Sequence, residues 1–483
     1  MPSLLLRNIG WLYTCDDRDQ VLRDAWLRCE DGVMVALGAE PCPCPDADDV
    51  REMAGCIVLP GLINMHHHFF QQVTRATPHA QRAVTLEWLF GMYPLWSELD
   101  ADCLHWATLA AGAEMLLTGA TTSVDHSYLL PGAGSEMMEA EIGAARELGL
   151  RLHLVRSCMP TIEGDLATRL RPIMGEKMEA MLDKAETLFP RIERDLARFH
   201  DASRHSMLRL DLGPTVITYA MPEMMRRFGE MAAANDLGLH AHFLPREIER
   251  ALCRQHNGME TVDFLRSVGW LTPRSWFAHS VSLDDAEIAG LGAAGCGVAH
   301  CPRTAVRLGY PVPRIAAMRQ AGIAVTIGID GGASNDDGSM LGDMRLGLLY
   351  HRTNAGAETV PLRDWLKPYD LLLMCTRVAA GVLNRPELGH LAPGMAADIA
   401  AFDLRRAAYA GAMLDPLGAL LMCGADSSAK LTVVAGRVVV ADGRLLSADE
   451  GRIVDGTNAA MESLTQRATR STGLDFRNYP EGG

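Results

Sequence analysis

The chain has no segment approaching the ~18 uninterrupted apolar residues that a bilayer-spanning helix needs. Its amino terminus, Met1-Pro2-Ser3-Leu4-Leu5-Leu6-Arg7, lacks the basic start, long apolar stretch and small-residue cleavage site of a signal peptide. Long lysine or arginine runs are missing as well. Acidic residues outnumber basic ones, 60 to 45, for a formal net charge of −15. That balance argues against nucleic acid or an anionic membrane as the main partner. There is no compact cysteine framework either: the 12 cysteines are scattered over 483 residues, which suits reduced thiols in a cytoplasm. The one close pair, Cys42-Pro43-Cys44, has tighter spacing than a zinc knuckle and reads as a surface loop. No Gly-x-Gly-x-x-Gly follows the first strong strand, which removes the usual signature of a dinucleotide-binding sheet.

What the chain does contain is alternation. At this length one large domain with a smaller companion is expected. Between about residues 58 and 385, apolar β-type runs alternate with longer helical stretches. The strand candidates are Ile57–Asn64, Thr121–Asp125, Arg151–Val155, Leu208–Gly213, Leu237–His242, Ser275–His279, Gly297–His300 and Ala324–Asp330. Helical candidates include Leu104–Leu117, Glu136–Leu148, Lys177–Phe199 and Pro222–Asn235. Eight strands interleaved with helices predict an α/β fold, a parallel (β/α)8 TIM barrel. Short strands separated by Asp/Gly turns fill residues 1–57 and recur in 386–450. Neither set can bury much alone, so the two ends are expected to meet as one small β-sandwich. Residues 451–483 read as a helix and a polar tail.

The strand ends carry the chemistry. Val58-Leu59-Pro60-Gly61-Leu62-Ile63-Asn64-Met65 runs into His66-His67-His68, and a period of two points His66 and His68 one way and His67 the other. Alone, that pair is as compatible with core histidines as with a metal site. But His240 and His242 end the fifth strand, His279 the sixth, His300 the seventh and Asp330 the eighth. A barrel gathers all these ends on one face. Imidazole and carboxylate without thiolate suit one divalent ion, Zn2+ first, with Fe2+ or Mn2+ as alternatives.

With these segments, with Val298-Ala299-His300-Cys301-Pro302, with Gly328-Ile329-Asp330-Gly331-Gly332 and with Leu391-Ala392-Pro393-Gly394-Met395-Ala396-Ala397-Asp398, the chain resembles the amidohydrolase superfamily, in its cytosine/guanine deaminase-like branch. The resemblance implies His66, His68, His242 and Asp330 as metal ligands around an activated water, with Asp330 also taking a proton and His279 stabilising charge. It implies a small-molecule substrate, an amino-substituted nitrogen heterocycle such as a purine, pterin or triazine, and a homo-oligomer. His240 and His300 are expected to hydrogen-bond within the barrel wall. Gln71, Trp88, His126 and Arg303 are candidate substrate contacts, although aromatic and arginine side chains in such loops also serve packing and solvation.

One departure stands out. The branch places a proton-shuttling glutamate three residues after the fifth-strand histidine, and here that place holds Pro245, which has no proton to give. General acid–base help is worth ~10²–10⁴ in rate. Three explanations are open: Glu247 swings in as a displaced acid; the reaction needs no such group, including ring opening or a leaving group other than ammonia; or the barrel binds metal without catalysis.

Overall fold

A computed structural model describes residues 3–130, 135–354, 360–424 and 428–479. Eight parallel strands form one sheet: β1 (Leu62–Asn64), β2 (Ala120–Ser127), β3 (Arg151–Arg156), β4 (Leu208–Leu212), β5 (Leu239–Phe243), β6 (Ser275–His279), β7 (Gly297–His300) and β8 (Ala324–Ile327). Each pairs with the next in sequence order, and the two edges meet through Met65 N–H to the Ile327 carbonyl (3.1 Å) and Asp330 N–H to the His66 carbonyl (2.9 Å). Asn64 reinforces that seam, its Oδ1 accepting from Ile329 N–H at 2.9 Å while its Nδ2 donates to Ser123 Oγ at 3.0 Å. The expected barrel is present, with β2, β3 and β6 buried along their whole lengths as strands covered on both faces must be.

The two chain ends also combine as expected. They form a mixed sheet of nine strands in which Cys56–Pro60 pairs in parallel with Leu4–Tyr13 and antiparallel with Ile399–Asp403. Its residues share one core, including Leu6, Leu27, Val58, Ile399 and Val433.

Two details depart from the sequence expectation. The apolar run Ile57–Asn64 is two strands: Cys56–Pro60 belongs to the terminal sheet and Leu62–Asn64 to the barrel. The break falls at Gly61, whose N–H donates to the Asp398 carbonyl (2.9 Å), and where a Cβ would stand 2.2 Å from Thr121 Oγ1. A continuous hydrophobic run carries no mark of this change of sheet. The stretch Lys177–Phe199 is likewise two helices, Glu176–Ala180 and Ala185–Phe199. The closing helix, Glu450–Thr472, packs on the helix Ala101–Leu117 and is longer than its apolar pattern suggests.

Candidate metal centre and adjoining cavity

At the C-terminal ends of β1, β5, β6 and β8 the barrel gathers the predicted ligands. His66 Nε2 and His68 Nε2 lie 3.4 and 3.3 Å from Asp330 Oδ1, and His279 Nε2 lies 3.8 Å from Asp330 Oδ2. His68 Nε2 and His242 Nε2 are 3.1 Å apart. His67 turns the other way, onto the Phe69 ring at 4.9 Å. Both His279 and Asp330 sit at positive φ, 67° and 68°. Such left-handed backbone is uncommon for residues other than glycine and concentrates where function demands a particular side-chain direction.

Hydrogen bonds set the tautomers. His68 Nδ1–H donates to the His126 carbonyl (2.9 Å) and His242 Nδ1–H to the Thr215 carbonyl (2.6 Å), so each Nε2 carries a lone pair. His66 is reached through a relay: His240 Nδ1–H donates to the Trp276 carbonyl (2.9 Å), leaving His240 Nε2 to accept from His66 Nδ1–H (2.8 Å). The His240 ring is stacked on Trp276, centroids 4.7 Å apart. His66 Nε2 is then a buried lone pair with no hydrogen-bond partner among the described residues.

Burial depresses the pKa of His66 and His242 well below the ordinary imidazole value, so both are neutral. Burial opposes ionisation of Asp330, yet its carboxyl, set among the His66, His68 and His279 rings, is held well below the usual range. Three imidazole lone pairs and one carboxylate oxygen converging on a buried site are unfavourable without a cation. The residues therefore fit a divalent ion bound through His66, His68, His242 and Asp330. The described residues offer two overlapping groups with ligand atoms in range: His66, His68, His126 and His242, and His66, Cys301 and Asp330.

A cavity of about 290 Å³ opens over this cluster, with His68, His242, His279 and Asp330 at its floor. Its walls include Gln71, Trp88 and four tyrosines, Tyr93, Tyr128, Tyr219 and Tyr310. Tyr310 packs on His279 with ring centroids 5.7 Å apart, and Trp88 Nε1–H donates to the Ala333 carbonyl at 3.0 Å. A larger groove of about 660 Å³, between residues 72–78 and the C-terminal helix, contains none of the histidines.

Of the sequence candidates, Gln71 and Trp88 line the cavity and the other three do not. His126 is fully buried within the histidine cluster, its Nε2 facing Ser157 Oγ (2.9 Å) and the Pro214 carbonyl (3.2 Å). Arg303 is held by Asp337, Asp343 (3.2 Å) and the Ser339 carbonyl, a tie among loop residues rather than a free fork at the mouth. Glu247 does not swing inward: its side chain is 87% exposed and pairs with Arg250 at 3.6 Å, because the turn after Pro245 places it on the outer side of the helix start. Beyond Asp330, the buried carboxylate that lines the cavity is Glu249, 2% exposed, together with Arg246; Glu163 and Asp165 line it from exposed positions. Sequence reasoning passed over both. Tyr128 was within reach of it, since period two from His126 places it on the same side of β2 and its continuation.

The amidohydrolase family profile matches residues 57–441. The chain belongs to the amidohydrolase family. This amidohydrolase is 37% identical over 468 residues to an 8-oxoguanine deaminase of Pseudomonas aeruginosa, covering 96% of this chain and 99% of the relative. It is 33% identical over 493 residues to a hydroxydechloroatrazine ethylaminohydrolase of Pseudomonas sp. strain ADP, covering 98% and 99%. Among solved structures it superposes on an atrazine chlorohydrolase from Arthrobacter aurescens TC1 complexed with zinc, with a TM-score of 0.87, 32% identity and coverage of 95% and 100%. The amidohydrolase is thus a metal-dependent hydrolase of the deaminase-like group, with a histidine cluster for its metal.

Proposed function

We propose that this amidohydrolase uses one zinc ion to release ammonia or an amine from an amino-substituted nitrogen heterocycle. The observation that carries the reading is a single cavity with an imidazole–carboxylate floor and aromatic walls. Its about 290 Å³ lies at the small end of the range for small-molecule sites and suits a one- or two-ring substrate. A divalent ion held at the floor would supply a water acidified towards pH ~7.

The chain's own groups divide the remaining work. Asp330 would accept a proton from the attacking water, and His279, whose Nε2 lies 3.8 Å from Asp330 Oδ2, would stabilise charge as the water adds to the ring carbon. Tyr93, Tyr128, Tyr310 and Trp88 would hold a flat ring, and the Gln71 amide would bond its edge. Zinc is supported by the all-N/O ligand set and by the zinc in the Arthrobacter structure. A cytoplasmic location and a homo-oligomer belong to the same reading.

A second reading keeps the same site but a different leaving group. Pro245 in place of the shuttle glutamate favours it, and the similar structure named as an atrazine chlorohydrolase shows that a similar chain is named for another leaving group. The test is zinc-loaded protein assayed over purines, pterins and triazines, with ammonia, alkylamine and chloride measured separately. Ammonia or alkylamine from an amino-substituted heterocycle supports the first reading, chloride or ring-opened product alone the second. No turnover of any member refutes both.

A further inference from the structure

Apart from the exposed Glu163 and Asp165, the proposed reaction leaves two charged groups of the cavity without a task. Arg246 and Glu249 both line it, and neither is part of the metal floor. Glu249 lies in the first turn of the helix Ile248–Asn257 and folds back so that Oε2 accepts from Leu244 N–H at 3.1 Å. That bond uses one carboxylate oxygen. Among the described residues no ion pair within 4.0 Å joins Glu249 to Arg246, and the buried Arg246 Nε has no hydrogen-bond partner. The two charges still sense each other. Burial pushes the Glu249 carboxyl up to about 7, with Arg246 pulling it down.

Neighbouring charges differ. Glu247 is exposed, and Arg250 is bound by Glu287 at 2.7 Å. Arg246 lies against the Tyr219 hydroxyl, and the Tyr310 hydroxyl feels the charge of both Asp330 and Glu249. The pair thus lines the same cavity as the histidine floor without belonging to it. A guanidinium there offers N–H donors to an oxo group, and a carboxylate beside it accepts an N–H. A guanidinium whose Nε–H has no partner and a carboxylate with one oxygen outside its bond to Leu244, lining the same cavity, match one ring edge, an adjacent carbonyl and N–H. The carbon that loses its amine has to lie at the metal end, so the edge read by the pair is the one that flanks it, as N1–C6 flanks C2 in guanine.

We propose that Arg246 and Glu249 form a specificity-determining pair that reads the lactam edge, –C(=O)–NH–, of an oxo-substituted amino heterocycle. The orientation of the ring rests on the proposed function, whereas recognition of the edge can be measured without turnover. Guanine and 2-aminopurine share the amino-bearing ring system and differ in the lactam. Equilibrium dialysis of both against zinc-loaded protein, with ammonia release assayed in parallel, gives the two readouts. Wild type is expected to prefer guanine, and Arg246→Met and Glu249→Gln are each expected to lower the guanine-to-2-aminopurine affinity ratio ~10- to 100-fold, the range for a hydrogen bond to a charged group. In turnover the loss would appear in KM rather than kcat.

Glutamine keeps an oxygen for the Leu244 N–H, and metal content with a thermal midpoint checks the fold of both variants. A wild type without lactam preference, or two folded variants that retain it, overturns the proposal. If the preference exists and disappears in the variants but no ammonia is released from either ligand, the pair stands and the reaction falls. Ammonia release without lactam preference gives the reverse.

Discussion

His240 contributes no atom to the metal position, yet it decides which nitrogen of His66 is free to bind. Its Nε2 accepts the His66 Nδ1 proton, so removing it leaves a buried donor and releases the ring to rotate. Partners of this kind typically carry ~10- to 100-fold in metal affinity. His240→Phe is therefore expected to weaken zinc binding by about that factor, with His240→Gln, which keeps an acceptor, recovering part of it; competition against a chelator of known affinity measures both. His66→Ala is a harsher change and is expected to lose bound metal and activity together, so a full metal equivalent in that variant would contradict the ligand set. Glu249 sets a pH dependence of stability. Its folded pKa, about 7, exceeds the ordinary 4.5 because of burial, so its contribution is complete below pH 4.5 and is lost as the pH rises through about 7. Glu249→Gln removes that loss and should gain up to about 3 kcal/mol over wild type at pH 8 relative to pH 4.5, read by denaturant unfolding at the two pH values. The convergence of histidines and Asp330 was legible in the sequence because each stands at or just beyond a strand end, and the proposed ligand set was implied by the family resemblance. Glu249 was not: it follows a proline turn, and nothing local distinguishes its inward direction from the outward one of Glu247.

At the scale of elements, the strands hold the site by close backbone approach. A Cβ on Gly213, just beyond β4, would fall 1.8 Å from the His240 carbonyl oxygen on β5. Only a residue without a side chain allows the two strands this contact, so Gly213→Ala must push β5 away and carry His240 and His242 with it. The expected result is a loss of about 1–3 kcal/mol of stability, the usual cost of overpacking, together with weaker metal binding, measured by thermal unfolding with and without zinc. The eight strands were legible because apolar runs and helical periods alternate in order. The switch of sheet at Gly61 was not, since Cys56–Pro60 and Leu62–Asn64 are both buried and read as one run.

At the scale of the molecule, a buried fork of charge ties the barrel to the terminal sheet. Arg151 on β3 donates to both oxygens of Asp398 at 2.9 and 3.0 Å, and also to the carbonyls of His205 (3.0 Å) and Ser206 (2.7 Å). Asp398 in turn accepts from Ala435 N–H at 2.7 Å. Replacing one partner strands the other charge in the interior, so Arg151→Met is expected to cost about 3–5 kcal/mol in denaturant unfolding. Asp398 was recognisable from its motif, but its partner lies 247 positions away and the sequence offered no signal for it.

The strand Cys56–Pro60, which leads straight into the first metal histidines, takes one neighbour from the start of the chain and the other from Ile399–Asp403. During synthesis this strand therefore waits with an open edge while more than three hundred further residues leave the ribosome. The nascent chain is vulnerable to wrong β-pairing over that interval, and a chain released after the barrel but before residue 399 should be retained by chaperones or precipitate even though every proposed zinc ligand has already been made.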